Sequence, residues 1–259
     1  MRWAVVSDIH GNLPALEAVI ADFHAHGGDA VLNLGDILSG PLWPAETADR
    51  LIPLAWPTLA GNHERQVLQP IERMGASDRH AALRLNQTHR AWLAGLPGTR
   101  WAADDLYCCH GTPDSDLSYF LETVTPDFGI AGSPGVRPAT PEEVQARAGD
   151  VRATLILCGH THLARDLSLP DGRRVLNPGS VGLPAYDDGH PHPHRNEAGS
   201  PHARYALIER HAHGWQVELR QVHYDWEAAA RQAESNGRGD WADALRSGRV
   251  GRLESDVVA

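Results

Sequence analysis

Five short clusters of polar residues carry the side chains that could do chemistry in this sequence. They are SDIHG at 7–11, GD at 35–36, GNHE at 61–64, CHG at 109–111 and GHTH at 159–162. Each cluster follows an apolar run, so we expect each to lie at the end of a strand or in the turn beyond it. Each also contains Gly, which permits a tight turn and leaves room beside a ligand. In open α/β sheets, ligands collect beyond the carboxyl ends of strands.

The residue types in these clusters predict a metal site. In Asp8-x-His10 and His160-x-His162, a spacing of two on an extended chain would point both side chains to one side. Imidazole and carboxylate suit Mn, Fe, Zn or Ni better than Ca or Mg, and no Cys thiolate is required. A carboxylate can bridge two ions, and ion pairs about 3.5–4 Å apart clamp a phosphoryl group and ionise water at neutral pH. We therefore expect two divalent transition-metal ions, whose identity the residues leave open.

Composition removes several other classes of function. The 259 residues carry a net charge of -10, which argues against broad affinity for nucleic acid or for an anionic membrane. All 23 basic residues are Arg, and without Lys there is no Walker-type phosphate loop, Schiff base or Ser-Lys pair. The first apolar run is too short for a signal peptide, and no later run reaches membrane-spanning length. Three Cys without a CxxC pair favour a cytoplasmic protein.

Hydrophobic patterning predicts how these clusters are positioned. It indicates strands at 2–7, 30–34, 56–59, 106–109 and 154–158, helices at 13–26, 78–93 and 226–245, and hairpins turning at 171–172 and 213–214. Alternation of strand and helix followed by antiparallel pairs favours an α/β (α+β) protein with two packed sheets and helices outside. The segments 113–141 and 187–201 read as irregular. We expect one domain over 1–259, with cap or lid insertions near 113–150 and 183–204.

The order DxH, GD, GNH, HG and GHTH resembles the calcineurin-like metallophosphoesterase superfamily. The strings SDIHGN, GNHE, HGTP and the later NPGSVG at 177–182 look like its small bacterial and archaeal phosphoesterase branch, which is related to diadenosine tetraphosphatase. The resemblance implies a four-layer αββα sandwich of two mixed sheets flanked by helices. It also implies hydrolysis of a small phosphorylated or nucleotide substrate by a metal-bridging hydroxide, with no covalent enzyme intermediate.

The resemblance assigns a role to each matching position. The first ion would be held by Asp8, His10 and His162, the second by Asn62, His110 and His160, and both by a bridging Asp36. His63 would be the histidine that binds no metal and stabilises or protonates the leaving oxygen. The turn at 177–182 would be a rigid element beside the site.

The sequence departs from the phosphoprotein phosphatase branch at two positions. There, an Asp three residues after the bridging Asp pairs with the catalytic His, and an Arg follows. Here those places hold Ser39 and Gly40. The orientation of His63 by an acid is therefore open, Ser39 could supply a weaker hydrogen bond, and phosphoprotein substrates are disfavoured.

Several alternatives stay open on the sequence alone. The fold could serve as a nonenzymatic metal-binding interaction module, or the enzyme could be a nuclease, although the net charge disfavours strong nucleic-acid binding. Monoester and diester substrates are not distinguished, nor is the oligomeric state. Arg65, Arg195 and Arg204 are candidates to grip a substrate phosphate, and we expect His190, His192 and His194 to lie in a solvated loop.

Overall fold

The computed structural model describes residues 1–257, and all that follows concerns those residues. The strands are β1 Arg2–Val6, β2 Ala30–Asn33, β3 Thr99–Ala103, β4 Leu106–Cys109, β5 Glu122–Val124, β6 Val136–Pro138, β7 Leu155–Leu157, β8 Arg165–Ser168, β9 Arg174–Asn177, β10 Ala185–Asp188, β11 His194–Glu197, β12 Ala203–His211 and β13 Gly214–Val222. The helices are α1 Leu13–Ala25, α2 Pro44–Leu51, α3 Asn62–Val67, α4 Ala76–Ala82, α5 Gln87–Ala94, α6 Pro141–Ala148, α7 Trp226–Ser235, α8 Gly239–Ser247 and α9 Glu254–Val257. Short 3₁₀ helices span Ile52–Leu54, Ile71–Arg73 and Ile130–Gly132.

Two mixed sheets form the centre of the molecule. One has the order β13-β12-β1-β2 and the other β3-β4-β7-β9-β8. Both sheets contribute buried side chains to one shared apolar layer, including Val5 and Leu32 from the first and Leu155 and Leu176 from the second. Helices α1, α2, α7 and α8 pack in a separate core outside the first sheet, and α6 packs in another outside the second. The predicted four-layer αββα sandwich is confirmed.

Helix α1 illustrates how local sequence connects this architecture to the polar clusters. Asn12 accepts a hydrogen bond from the backbone N–H of Ala15 (3.3 Å), which caps the helix and is worth about 1 kcal/mol. Its side-chain amide donates to the carbonyl of Gly182 (2.8 Å) and to the hydroxyl of Tyr224 (3.1 Å). Because the cap follows directly on the first polar cluster, the same side chain ties that cluster to the turn at 177–182.

Some predicted elements differ from the structure. The strand expected at 56–59 forms only an isolated parallel bridge between Asn33 and Thr58. The helix expected at 78–93 is two helices, α4 and α5, because the side chain of Asn86 accepts from the backbone N–H of His89 (2.9 Å) and starts a new helix there.

The two segments that read as irregular contain short hairpins. Strands β5 and β6 pair antiparallel within 113–141, and β10 and β11 pair antiparallel within 187–201 and the residues just before it. Within the expected insertion at 113–150, α6 buries Val144 and Ala148 in the core outside the second sheet. The division into one domain with cap insertions remains a prediction. None of the helices within residues 1–257 has the length and apolar character needed to span a membrane.

Candidate metal centre

The loops beyond the strand ends bring the predicted ligands together in two groups. One group is Asp8, His10 and His162, and the other is Asp36, His110 and His160; within each group the ligand atoms lie within 4.8 Å of one another. Asp8 and His10 follow β1, and Asp36 follows β2. His110 follows β4, and His160 and His162 follow β7. We call these six residues, together with Asn62 at the start of α3, the ligand cluster.

Asp36 contacts both His110 of the second group and the GNHE loop at 61–64. Its Oδ2 lies 3.0 Å from Nε2 of His110, and its Oδ1 accepts the backbone N–H of His63 (3.0 Å). A Cβ on Gly61 would lie 2.2 Å from Asp36 Oδ1, so only glycine permits this approach. Asn62 therefore stands between two residues that both touch the Asp36 carboxylate.

Backbone carbonyls hold one ring nitrogen of every histidine in the ligand cluster. The Nδ1 of His10 donates to the carbonyl of Ser39 (2.8 Å), and the Nδ1 of His110 donates to the carbonyl of Leu34 (2.9 Å). The Nδ1 of His162 donates to the carbonyl of Leu183 (2.7 Å), whereas His160 donates from Nε2 to the carbonyl of Leu117 (3.1 Å). A carbonyl oxygen can only accept, so each of these nitrogens must carry the proton. When such an imidazole is neutral, its other ring nitrogen carries a lone pair that can bind a metal.

At one place in the ligand cluster, the ring nitrogens that the carbonyls leave free face each other, and no hydrogen-bond donor from another residue lies between them. Nε2 of His10 and Nε2 of His162 are 3.1 Å apart, and Asp8 Oδ1 lies 3.5 Å from the latter. Three acceptors converging in a buried space repel one another unless a cation lies between them. Asp8 Oδ2 and Asn62 Oδ1 are also buried without a hydrogen-bond partner. This donor set fits divalent transition-metal ions.

The electrostatics favour the coordinating protonation states of His10, His160 and Asp36. Burial alone would lower the pKa of His110, but the charge of Asp36 raises it to about 10, so His110 must lose a proton when a metal binds. Burial, then the neighbouring His162, lowers the pKa of His10 to about 3, and burial followed by the charge of His110 lowers the pKa of His160 to about 4. Both rings are neutral at pH 7. Burial alone would raise the pKa of Asp36, but the charges of His110 and His63 and the hydrogen bond from His110 together hold that pKa well below the usual range. An ionised carboxylate and neutral imidazoles are the forms that bind metal.

The backbone of the ligand cluster is strained. Five of its non-glycine residues adopt positive φ, namely Asp8 (56°), His10 (51°), Asp36 (55°), His160 (69°) and His162 (62°). The left-handed region costs a non-glycine residue roughly 1–3 kcal/mol and is typical of functional sites. The expectation that an extended chain aims the DxH and HxH pairs is therefore wrong. The side chains converge because the chain turns left-handed immediately after each strand.

The turn at 177–182 restrains these strained loops, as the sequence predicts. Asn177 donates through its amide to the carbonyl of Gly159 (2.7 Å). Ser180 donates through its hydroxyl to the carbonyl of Asp8 (2.8 Å), which also accepts the backbone N–H of Gly182 (2.9 Å). Two loops of the ligand cluster are thus fixed by one rigid turn.

His63 differs from the histidines of the ligand cluster because a carboxylate orients it. Its Nδ1 donates to Oδ1 of Asp78 (2.7 Å), in the first turn of α4. Burial alone would lower the pKa of His63, but the charges of Asp36 and Asp78 raise it to about 9. The hydrogen bond suggested for Ser39 is not made: the Ser39 carbonyl binds His10, and its hydroxyl is buried without a partner.

A hydrogen-bonded group of four side chains, which we call the side wall, packs against the ligand cluster. It consists of Tyr119, Tyr186, His194 and Asn196. The Tyr186 ring lies edge-on to His162, with centroids 4.6 Å apart, and its hydroxyl donates to the carbonyl of His160 (3.0 Å). The expectation of a solvated loop fits His190, whose side chain is 97% exposed, but is wrong for His194, which is buried.

Sequence reasoning missed Asp78, Tyr119 and Tyr186, together with Trp241, whose ring lies 5.8 Å from that of His10. Asp78 reads as an ordinary acidic residue at a helix start, because acids are favoured there in any helix. The remaining three belong to no motif. Only the fold brings them to the site.

The other candidate residues have structural partners. Glu64 accepts backbone N–H groups from Asp36, Ile37 and Gly61 at 2.7–2.8 Å, which fastens the GD loop to the start of α3. Of the arginines considered for substrate phosphate, Arg65 pairs with Asp116, Arg195 lies over the ring of Phe128, and Arg204 donates to the carbonyls of Ala198, Ser200 and His202.

Comparisons with known proteins agree with this fold. The family described as calcineurin-like phosphoesterase matches residues 1–164, and the chain belongs to that family. An uncharacterized protein of Methanocaldococcus jannaschii is 25% identical over 92% of this chain and 94% of its own length. A metallophosphoesterase from Sphaerobacter thermophilus has a similar crystal structure, with a TM-score of 0.69, 24% identity, and coverage of 95% of this chain and 100% of that chain. The protein is a metal-dependent phosphoric ester hydrolase.

Proposed function

We propose that the ligand cluster holds two divalent ions, with Asp36 between them, and that the enzyme hydrolyses small phosphorylated or nucleotide substrates. The observation that carries the proposal is the convergence of buried nitrogen and oxygen ligand atoms, above all the 3.1 Å between Nε2 of His10 and Nε2 of His162, whose Nδ1 atoms are both bound to backbone carbonyls. Mn, Fe, Zn and Ni all suit this set of imidazole, carboxylate and amide ligands. When bound, two such ions offset charge on the phosphoryl oxygens and activate water as the nucleophile.

The proton for the leaving oxygen comes from His63 in this proposal. Asp78 occupies its Nδ1, so Nε2 is the ring nitrogen available to the substrate. A pKa of about 9 keeps the ring protonated at neutral pH, and it can then act as a general acid. Tight orientation by a carboxylate reduces the entropy lost in placing the acid against the departing oxygen.

The side wall contributes to the site by fixing two ligands. Tyr186 packs against the ring of His162 and holds the backbone carbonyl of His160. Tyr119 lies edge-on to the ring of His160 with centroids 5.1 Å apart. Residues that orient metal ligands commonly change metal affinity or activity by 10–100-fold when removed.

The proposed function is tested on protein stripped with a chelator and then reloaded separately with Mn, Zn, Ni or Fe(II). We expect no turnover of p-nitrophenyl phosphate or bis(p-nitrophenyl) phosphate without metal, and turnover of at least one of them after reloading. Protein that binds two ions and stays inert toward both esters and a broader phosphoester panel would favour the nonenzymatic interaction module. Degradation of nucleic acid that outpaces every small ester would favour the nuclease.

A further inference from the structure

The geometry points to Asp78 as the residue that positions the proton donor. This inference rests on the proposed function and extends it to a residue outside every motif of the sequence. Asp78 lies 15 residues after His63, on a different helix, and its carboxylate is 2.7 Å from His63 Nδ1. Asp78 is only 5% exposed, so water competes little for this hydrogen bond.

Helix α4 is itself fixed against the site from two sides. The carbonyl of Ser77 accepts the backbone N–H of Gly40 (3.3 Å), at the end of the loop that carries Asp36. The hydroxyl of Ser77 accepts from Nη1 of Arg238 (2.8 Å), a buried arginine at the start of α8. The residue that immediately precedes Asp78 is therefore bound both to a ligand loop and to the helical layer.

Arg238 is held in place by two carboxylates. It pairs with Asp240 at 2.6 Å and with Glu254 at 2.9 Å, and its guanidinium lies 5.7 Å from the centroid of the Trp241 ring. A fork-shaped cation with partners on several sides allows little movement of α4. The carboxylate of Asp78 thus has a defined position, as a group that orients an acid requires.

The hydrogen bond to Asp78 determines which ring nitrogen of His63 is available to the substrate. With Nδ1–H donated to Asp78, the imidazole cannot rotate freely and Nε2–H is directed away from α4. In the proposed reaction, a hydroxide oxygen forms a bond to phosphorus while the bond from phosphorus to the leaving oxygen breaks, and the Nε2 proton of His63 passes to that leaving oxygen. Asp78 keeps its own hydrogen bond throughout and neither gains nor loses a proton. It is a positioning residue that acts through His63.

The test uses Asp78→Asn and Asp78→Glu in the full chain, with Asp49→Asn as a matched control. Asp49 forms a pair with His89 of similar length (2.8 Å) but belongs to α2 and is not part of the site. Each variant is assayed for kcat and KM on a p-nitrophenyl ester and on an alkyl ester of phosphate. Metal content and thermal unfolding are measured on the same samples.

For Asp78→Asn we expect kcat to fall about 10–100-fold on the alkyl ester and less than about threefold on the p-nitrophenyl ester, with KM and metal content unchanged. A good leaving group needs little protonation, which is why the loss should depend on the ester. Asp78→Glu should recover part of the alkyl-ester rate, and Asp49→Asn should leave both rates unchanged.

An equal loss on both esters would mean that Asp78 only stabilises α4, and it would overturn the inference. Unchanged rates on both esters would overturn it too. If instead the wild-type protein, loaded with metal, hydrolyses neither ester, it is the proposed function that fails. If Asp78→Asn does not fold, the activity of Asp78→Glu decides: selective loss on the alkyl ester supports positioning, and uniform activity contradicts it.

Discussion

Each histidine of the ligand cluster is oriented by a backbone carbonyl, whereas His63 beside them is oriented by a carboxylate from a separate helix. Every residue has a backbone carbonyl, so these hydrogen bonds do not depend on the side chains of the four residues that accept them. Those residues are Ser39, Leu34, Leu183 and Leu117. An orienting side chain can be removed by one substitution. Substitution at the four positions that supply these carbonyls should therefore leave the ligand histidines oriented, whereas a single substitution at Asp78 or Tyr186 removes an orienting group.

The largest effect should come from breaking the ligand cluster itself. Asp36→Asn replaces the proposed bridging anion by a neutral amide that cannot hold two dications with the same charge balance. We expect the metal content to fall by half or more, with activity reduced at least about 10³-fold. Elemental analysis of the purified variant checks this. Two ions retained per chain would show that Asp36 does not bridge.

Removing His63, the proposed acid, should reduce the rate less than Asp36→Asn does and should leave the ions bound. His63→Ala is expected to keep its ions and to lose roughly 10²–10⁴ in rate, most for poor leaving groups. The comparison of an alkyl ester with a p-nitrophenyl ester, at equal metal loading, measures the loss. Full activity of this variant on the alkyl ester would refute the role.

A smaller effect is expected in the side wall. Tyr186→Phe keeps the ring on His162 but removes the hydroxyl that donates to the carbonyl of His160. We expect about a tenfold loss of metal affinity, measured by calorimetric titration. Tyr224→Phe is the control, because its hydroxyl accepts from Asn12 outside the side wall. Equal affinities in the two variants would mean that the side wall does not support the ligands.

The smallest effect on activity should come from Glu122, which is 4% exposed and has one carboxylate oxygen without a partner. Burial, only partly offset by a hydrogen bond from Thr161 and the charge of Arg165, raises its pKa from 4.5 to about 7. The folded state therefore retains a proton that the unfolded state releases, and stability present below pH 4.5 is lost as pH rises toward 7.

Glu122→Gln removes that penalty. Relative to wild type, the variant should gain little at pH 4.5 and up to about 3 kcal/mol at pH 8, with catalytic rates nearly unchanged. Urea unfolding of metal-free protein at both pH values measures the difference, with Glu72→Gln, at an exposed glutamate, as control. A stability difference between Glu122→Gln and wild type that does not grow with pH would contradict the raised pKa of Glu122.

The convergence of six polar residues in two groups could be predicted from the sequence because these residues sit at strand ends in short strings with Gly, and these features are local. Strong apolar runs such as 106–109 place the strands, and β4 forms there. The left-handed turns at Asp8 and His160 were not predicted, because nothing local distinguishes them from extended residues. Asp78 was not predicted either, since its role depends on how α4 packs against Arg238 and Gly40, a tertiary contact with no sequence period.

The most direct test is the number of divalent ions that one chain binds. Metal-stripped wild-type protein should take up two equivalents of Mn in a calorimetric titration, and activity should appear as the second site fills. His10→Ala combined with His162→Ala should reduce uptake to one equivalent or fewer. A wild-type protein that binds no ion, or a double variant that still binds two, would contradict the account.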